Sequence, residues 1–378
     1  SRGLGDVYKR QGTDVVGPAF GHSGRVSINR RDFLAAGAVA GLGVLAGCST
    51  DAEQAAPPST PPPGVTTVAG GLNVPWAIVF LAGGDALISQ RDDATIVRVS
   101  PDGTVRTVGG VDDAAPRGEG GLQGIALAPR DESAVFAYYT SASDNRLVRM
   151  DFDGQRLGPP RPLLTGLDTA TNHHGGALVF GADGSLFVAV GDAAEPDVAQ
   201  DVRARNGKIL RVDREGRPWR DNPFGNEVYS YGHRNVEGLA FDGAGRLWAT
   251  EFGQNDRDEL NLIVAGGNYG WPQAEGDSDD PRLVAPKVTW STAEASPAGL
   301  AIAGGRAHVA ALRGQRLWSV PLNADTVGAP TARFAHTLGR LRAVAHAPDG
   351  SLWVSTSNTD GRGSPIAGDD RILRVPAT

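Results

Sequence analysis

One unit recurs along most of this chain and limits what it can fold into. An apolar residue leads into a short turn, often Asp-Gly, and a strand of apolar character follows. Its clearest copies are Phe180-Gly-Ala-Asp-Gly-Ser-Leu-Phe-Val-Ala-Val190, Phe241-Asp-Gly-Ala-Gly-Arg-Leu-Trp-Ala-Thr250 and Ala347-Pro-Asp-Gly-Ser-Leu-Trp-Val354, with weaker ones from Phe80, Leu127 and Ile302. The first strand residues are Leu87, Val135, Leu186, Leu247, Ala307 and Leu352, spaced by 48, 51, 61, 60 and 45 residues. Partner strands are expected at 95–99, 146–150, 208–212, 259–264, 316–320 and 371–375. From Thr66 onward no segment reads as an amphipathic helix, because short apolar runs are broken by Gly, Asp and Pro. Six units, each with room for four short strands, predict an all-β fold: a six-bladed β-propeller of four-stranded antiparallel blades over 66–378. A β-sandwich needs no such period. The last partner strand sits at the C-terminus, so a strand near 66–68 is expected to complete the last blade and close the ring.

Composition agrees and excludes some functions. There are 52 glycines in 378 residues, about twice ordinary usage, as a turn-dense chain requires. A hydrophobic content of 40% still supplies a core. The 36 basic and 43 acidic residues give a net charge of -7 with no long block of either sign, which argues against a nucleic-acid partner needing a basic face. A single cysteine, Cys48, leaves no intramolecular disulfide and no zinc site of several thiolates. No Gly-x-Gly-x-x-Gly lies in a strand-turn-helix context, so a nicotinamide fold is not indicated.

The N-terminal region reads as an address. Asn29-Arg30-Arg31-Asp32-Phe33-Leu34 leads into an apolar run ending Leu45-Ala46-Gly47-Cys48, the layout of a twin-arginine export signal followed by a lipobox-like cleavage site. The run is too short for a membrane span, which takes about 20 residues. Residues 1–47 are therefore expected to be a signal region. Within it, residues 1–25 lack Met and periodicity and are expected to be a non-native upstream stretch before a start at Val26. Cys48 is expected to carry the lipid, and 48–65, with Pro57-Pro58 and Pro61-Pro62-Pro63, to be a flexible tether. The competing reading is a buried helix with a chance arginine pair.

Several polar clusters are not needed by the scaffold: Thr171-Asn172-His173-His174-Gly175-Gly176, Gly191-Asp192, Tyr231-Gly232-His233-Arg234-Asn235, the acidic stretch from Glu251 to Glu259, and Arg340-Leu341-Arg342. Propeller loops converge on one mouth of the central channel, so these segments can share a site. Adjacent side chains in extended backbone point to opposite faces, so only one of His173 and His174 is expected to face the axis.

Here the chain resembles the soluble quinoprotein sugar dehydrogenases, the glucose/sorbosone and aldose sugar dehydrogenases. The matching segments are Pro75-Trp76-Ala77-Ile78, Gly118-Glu119-Gly120-Gly121-Leu122-Gln123-Gly124-Ile125-Ala126-Leu127, His173-His174-Gly175-Gly176, Gly191-Asp192, Gly207-Lys208-Ile209-Leu210-Arg211, Asp221-Asn222-Pro223-Phe224, Gly232-His233-Arg234-Asn235 and Gly267-Asn268-Tyr269-Gly270-Trp271-Pro272. They run in family order from about Leu72 to the C-terminus.

The resemblance implies pyrroloquinoline quinone (PQQ), a tricarboxylated ortho-quinone, with calcium at the channel mouth. It implies hydride transfer from the anomeric carbon of an aldose, giving a lactone, with electrons passed to an external acceptor. By motif position His173 would be the base that removes the hydroxyl proton, work that imidazole suits near neutral pH. Asp192 would orient it, Arg234 would face charge building on the quinone oxygen, and Asn235 would hold the same region. Arg340 and Arg342, two apart and therefore on one side, would both meet cofactor carboxylates. Arg313 stands where the best-known members place a cofactor-binding lysine. Gly253 and Gln254 match positions whose backbone carbonyls hold calcium, with Gln254 replacing a common proline. Glu259, Tyr269 and Asp279 match part of a second, structural calcium site. The plain alternatives are a histidine that only bonds a blade, solvated arginines and an ordinary acidic loop. Residues 290–299 match poorly, so the identity of the sugar does not carry over.

Two other functions compete. A calcium-dependent propeller lactonase would need a central cation held by several side-chain carboxylates. A non-catalytic propeller binding glycans or proteins would take up no PQQ.

Overall fold

The computed structural model describes residues 61–324 and 326–377. The expected export signal, Cys48 and most of the expected tether lie outside these residues. The described chain forms six antiparallel sheets. The six repeat anchors all fall in the second strand of a sheet, counted from the centre: Ala86–Gln90, Asp131–Thr140, Leu186–Val190, Leu247–Glu251, Arg306–Ala311 and Leu352–Thr356. The expected partner strands are the third strands. Five sheets have four strands, and in the fifth blade Thr326–Val327 and Thr331–Arg333 divide the outer position between them. Thr66–Ala69 pairs with Ile372–Val375, so the first strand of the propeller is the outer strand of its last blade and the ring closes by hydrogen bonds. The only helix among the described residues is a 3-10 turn, Pro196–Gln200.

The Asp-Gly turns owe their form to the aspartate. Asp183 accepts hydrogen bonds from the backbone N–H (2.9 Å) and hydroxyl (2.7 Å) of Ser185, an Asx-type turn that fixes the hairpin. Asp349 holds Ser351 in the same way. The second oxygen of Asp183 pairs with Arg211 on the third strand, as Asp85 pairs with Arg98 and Asp349 with Arg374.

The core consists of six apolar clusters, one between each pair of neighbouring blades. Strand alternation explains this. Leu186, Val188 and Val190 pack toward the second blade, while Phe187 and Ala189 pack toward the fourth. Both faces of a second strand are thus buried, and a large side chain buried this way contributes about 1.5–3 kcal/mol.

The innermost strands are Pro75–Phe80, Leu122–Ala128, Gly175–Phe180, Val236–Phe241, Pro297–Ala303 and Leu341–His346. Each shifts register against its neighbour within its first four residues. Such bulges re-aim side chains. Trp76, Glu237 and Arg342 sit at three of them. There Arg342 Nη1 donates to Glu237 at 2.8 Å and the guanidinium lies 6.0 Å from the Trp76 ring centre. These groups fill the axis, leaving a channel of about 100 Å³ along the inner strands. The loops entering the innermost strands, and those joining second to third strands, share the face above this plug.

Candidate active site

On that face lies a cavity of about 460 Å³ whose wall includes Glu119, His173, Arg234, Asn235, Arg313 and Arg340. His173 enters from the loop before the third blade and adopts φ 60°. This left-handed conformation is uncommon for a side-chain-bearing residue and costs of order 1 kcal/mol, which the surroundings must offset. They are built for it. A Cβ at Gly191 would lie 1.9 Å from the His173 carbonyl, and Gly175 has φ 69°. The glycines of His-His-Gly-Gly and Gly-Asp therefore let two loops touch.

The contacts of His173 assign its protons. A guanidinium can only donate, and Arg234 Nη2 lies 2.7 Å from His173 Nε2, so Nε2 must present its lone pair. The ring proton is then on Nδ1, which donates to Asp192 Oδ1 at 2.8 Å. Asp192 is fully buried and also accepts from the Ala194 N–H and the Trp271 indole N–H. With Nε2 unprotonated and a buried carboxylate behind Nδ1–H, the ring is arranged to take a proton once Arg234 Nη2 yields its place on Nε2.

His174 turns the other way. It is buried with Nδ1 near Thr140, Thr169 and Asn145, and burial lowers its pKa to about 4, keeping the ring neutral. One histidine of the pair faces the cavity, as alternation predicts, although the left-handed turn at His173 produces this rather than extended backbone.

Arg234 donates to the Phe252 and Gly253 carbonyls and lies 5.5 Å from the Trp271 ring centre. Its Nε is buried without a partner, and burial pulls its pKa down. Asn235 accepts from the Gly175 N–H at 2.9 Å and donates to Glu237. Arg313 reaches the wall. Arg340 does too, and both its Nε and Nη2 pair with the buried Asp360.

Arg342 does not line the cavity. It stays near Arg340, its Nε donating to Ser357, whose hydroxyl bonds the same Asp360 that holds Arg340, but the register shift between Leu341 and Val344 sets it off the cavity wall. It enters the axial plug, where burial pushes the pKa of Glu237 up against the opposing pull of the Arg342 charge.

The expected metal residues divide. The Gly253 carbonyl is on the cavity wall and accepts from Arg234 at 2.9 Å, whereas Gln254 is exposed. Glu259 is buried but bonded to Asn261 and the Gly276 N–H, with its pKa raised to about 8 by burial and by Glu251. The Tyr269 hydroxyl is engaged with the Leu262 carbonyl and Val264 N–H, and Asp279 is exposed. Among the described residues no three or more His, Cys, Asp or Glu side chains are grouped to hold a metal ion.

Sequence comparison now joins the geometry. The glucose/sorbosone dehydrogenase profile matches residues 72–373. The chain belongs to that family. Family membership gives the reaction class, oxidation of a sugar. The PQQ-bound structure of an aldose sugar dehydrogenase from Streptomyces coelicolor superposes with a TM-score of 0.79 at 48% identity, covering 84% of this chain and 99% of the other. The aldose sugar dehydrogenase YliI of Escherichia coli is 28% identical over 359 residues, 83% of this chain and 94% of that protein. Quinoprotein glucose dehydrogenase B of Acinetobacter calcoaceticus is 32% identical over 249 residues, 55% of this chain and 52% of that protein.

Two further residues of the family fold's cavity were not evident as site residues in the sequence. Glu119 accepts the His173 backbone N–H at 3.2 Å and pairs with Arg362 at 2.8 Å. Burial acts to raise its pKa, but these partners outweigh it and hold the group below its usual value. Glu119 lies inside a family motif, but Arg362 lies in a Gly/Ser-rich loop with no motif and meets it only because the ring closes. Trp271, also inside a motif, touches both Asp192 and Arg234 from behind.

Proposed function

We propose that the protein is an exported, lipid-anchored quinoprotein that oxidises the anomeric carbon of an aldose to a lactone, using PQQ and calcium, and passes the electrons to an external acceptor. One observation carries the cofactor reading. Four guanidinium groups, from Arg234, Arg313, Arg340 and Arg362, reach a cavity wall whose only described carboxylate is Glu119. This donor set fits a planar tricarboxylate, which arginine forks can hold in pairs, and the partnerless Arg234 Nε leaves a donor free. When bound, PQQ would supply the hydride acceptor.

The protein's own part follows from the site. His173 Nε2 takes the proton of the anomeric hydroxyl. Asp192 keeps the ring in the correct tautomer and stabilises the imidazolium that forms. Arg234 holds a fixed positive charge on the same wall, where it would face the negative charge that builds on the group receiving the hydride. Arg313, Arg340 and Arg362 orient the anionic cofactor. Calcium would bind through the Gly253 carbonyl, displacing one Arg234 hydrogen bond. Of the residues expected at a second calcium site, Glu259 and Tyr269 line one small cavity with Glu251, while Asp279 is exposed, and no step is assigned to that site. Export and anchoring rest on Arg30-Arg31 and Cys48.

The test is reconstitution. Apoprotein titrated with PQQ and calcium is expected to reduce an artificial dye in the presence of an aldose, with activity lost on chelation. Demonstrated PQQ binding with no activity on any aldose would overturn the enzyme reading. Lipid incorporation in the host, abolished by Cys48→Ala, checks the anchor.

A further inference from the structure

Trp271 is buried and absent from the cavity wall, yet it touches both partners of His173. Its indole N–H donates to Asp192 Oδ2 at 2.8 Å, and its ring lies under the Arg234 guanidinium at 5.5 Å. The backbone fixes this placement from outside the cavity. The Trp271 N–H donates to the Gly232 carbonyl, two residues before Arg234. Its carbonyl accepts from Gln200 Nε2 at 2.6 Å, and the Gln200 and Asn268 amides exchange two hydrogen bonds. Three loops, 191–200, 231–235 and 268–272, are thereby locked around one indole.

Among the described residues Trp271 is the one donor to Asp192 Oδ2, whereas Oδ1 serves both His173 and Ala194. Without the indole N–H the buried carboxylate can turn away from Nδ1–H, and without the ring beneath it Arg234 can leave Nε2, so the imidazole loses both contacts that fix its tautomer. The charged groups facing His173 are Asp192, Arg234 and Glu119, and Trp271 constrains two of the three.

We propose that Trp271 is a positioning residue of the active site: its indole N–H fixes the Asp192 carboxylate and its ring seats Arg234, and the two together hold the Nδ1–H tautomer of His173. The role rests on His173 being the base in the function proposed above. It predicts a defect in chemistry rather than in sugar binding.

Trp271→Leu removes both the donor to Asp192 and the ring under Arg234. In unloaded protein, histidine ¹⁵N spectra of the parent are expected to show the Nδ1–H tautomer at His173, and those of the variant a mixed population. After loading with PQQ, kcat is expected to fall by about 10–100-fold, the usual effect of losing a group that orients a catalytic ligand, with KM for the sugar little changed. An unchanged tautomer and unchanged kcat in the folded variant would overturn the proposal. If the variant does not fold, the parent protein decides. The Trp271 indole N–H should be protected from exchange and its resonance should move when His173 titrates, and rapid exchange or an insensitive resonance counts against it. Because the tautomer is read without cofactor, inactivity of the loaded parent would defeat the quinoprotein reading while leaving Trp271 to be judged separately.

Discussion

The two faces of the propeller use the same residue types in opposite ways. On the turn face, aspartate and arginine pair inside one blade: Asp85 with Arg98, Asp183 with Arg211, Asp349 with Arg374, at separations of 13, 28 and 25 residues. These pairs repeat with the unit and stay partly exposed. On the loop face Arg340 pairs with Asp360 inside one blade, but other pairs cross between blades: Glu237 with Arg342 and Glu119 with Arg362 are 105 and 243 residues apart. They do not repeat, and the Glu237–Arg342 pair is buried. Local repeated pairs stabilise a hairpin many times over, so each is dispensable. Single buried pairs between blades build one site, so each is not.

Substitutions should expose that asymmetry. The largest effect is expected at His173→Ala, where loss of the base should lower aldose turnover by about 10²–10⁴-fold while PQQ binding and the melting temperature stay close to the parent's. An equal loss of binding and turnover would make His173 a cofactor ligand instead. Next comes Arg342→Ala, which leaves Glu237 buried and unpaired. Breaking such a pair costs about 3–5 kcal/mol, readable by denaturant unfolding, and the joint change Arg342→Met with Glu237→Gln should recover part of it.

A smaller, pH-dependent effect belongs to His174. Its folded pKa of about 4 lies below the value near 6.5 of an unfolded histidine. Between those pH values the unfolded chain binds a proton that the folded chain refuses, so stability falls on acidification. From pH 7 to 4.5 the loss should be about 2 kcal/mol, and His174→Gln should remove it from the unfolding curve. The smallest effect is expected on the turn face. Arg374→Ala breaks the half-exposed ion pair with Asp349 and leaves the Asx turn intact; it should cost less than about 1 kcal/mol, whereas a loss as large as that of Arg342→Ala would erase the distinction between the faces.

The turn face was legible in advance because its physics is local. Asp-Gly-Ser encodes an Asx turn, the apolar run after it encodes a strand buried on both sides, and the period counts the blades. The loop face was legible only where a motif marks a residue, as at His173, Asp192 and Arg234. Spacing put Arg340 and Arg342 on one side, and both charges do act on Asp360, but it could not show that a bulge would set Arg342 off the cavity wall. Spacing also could not show that Asp279 would stay exposed on the surface.

The sequence by itself determined the architecture, the ring closure through the strand at Thr66–Ala69, and the chemistry available at the mouth of the channel. Only the tertiary structure decided which arginines reach the cavity, that Glu119 meets Arg362, and that Trp271 stands behind Asp192. Strand periodicity is written in neighbouring residues, whereas those contacts exist only once six blades have closed and bulges have turned single side chains off the repeat.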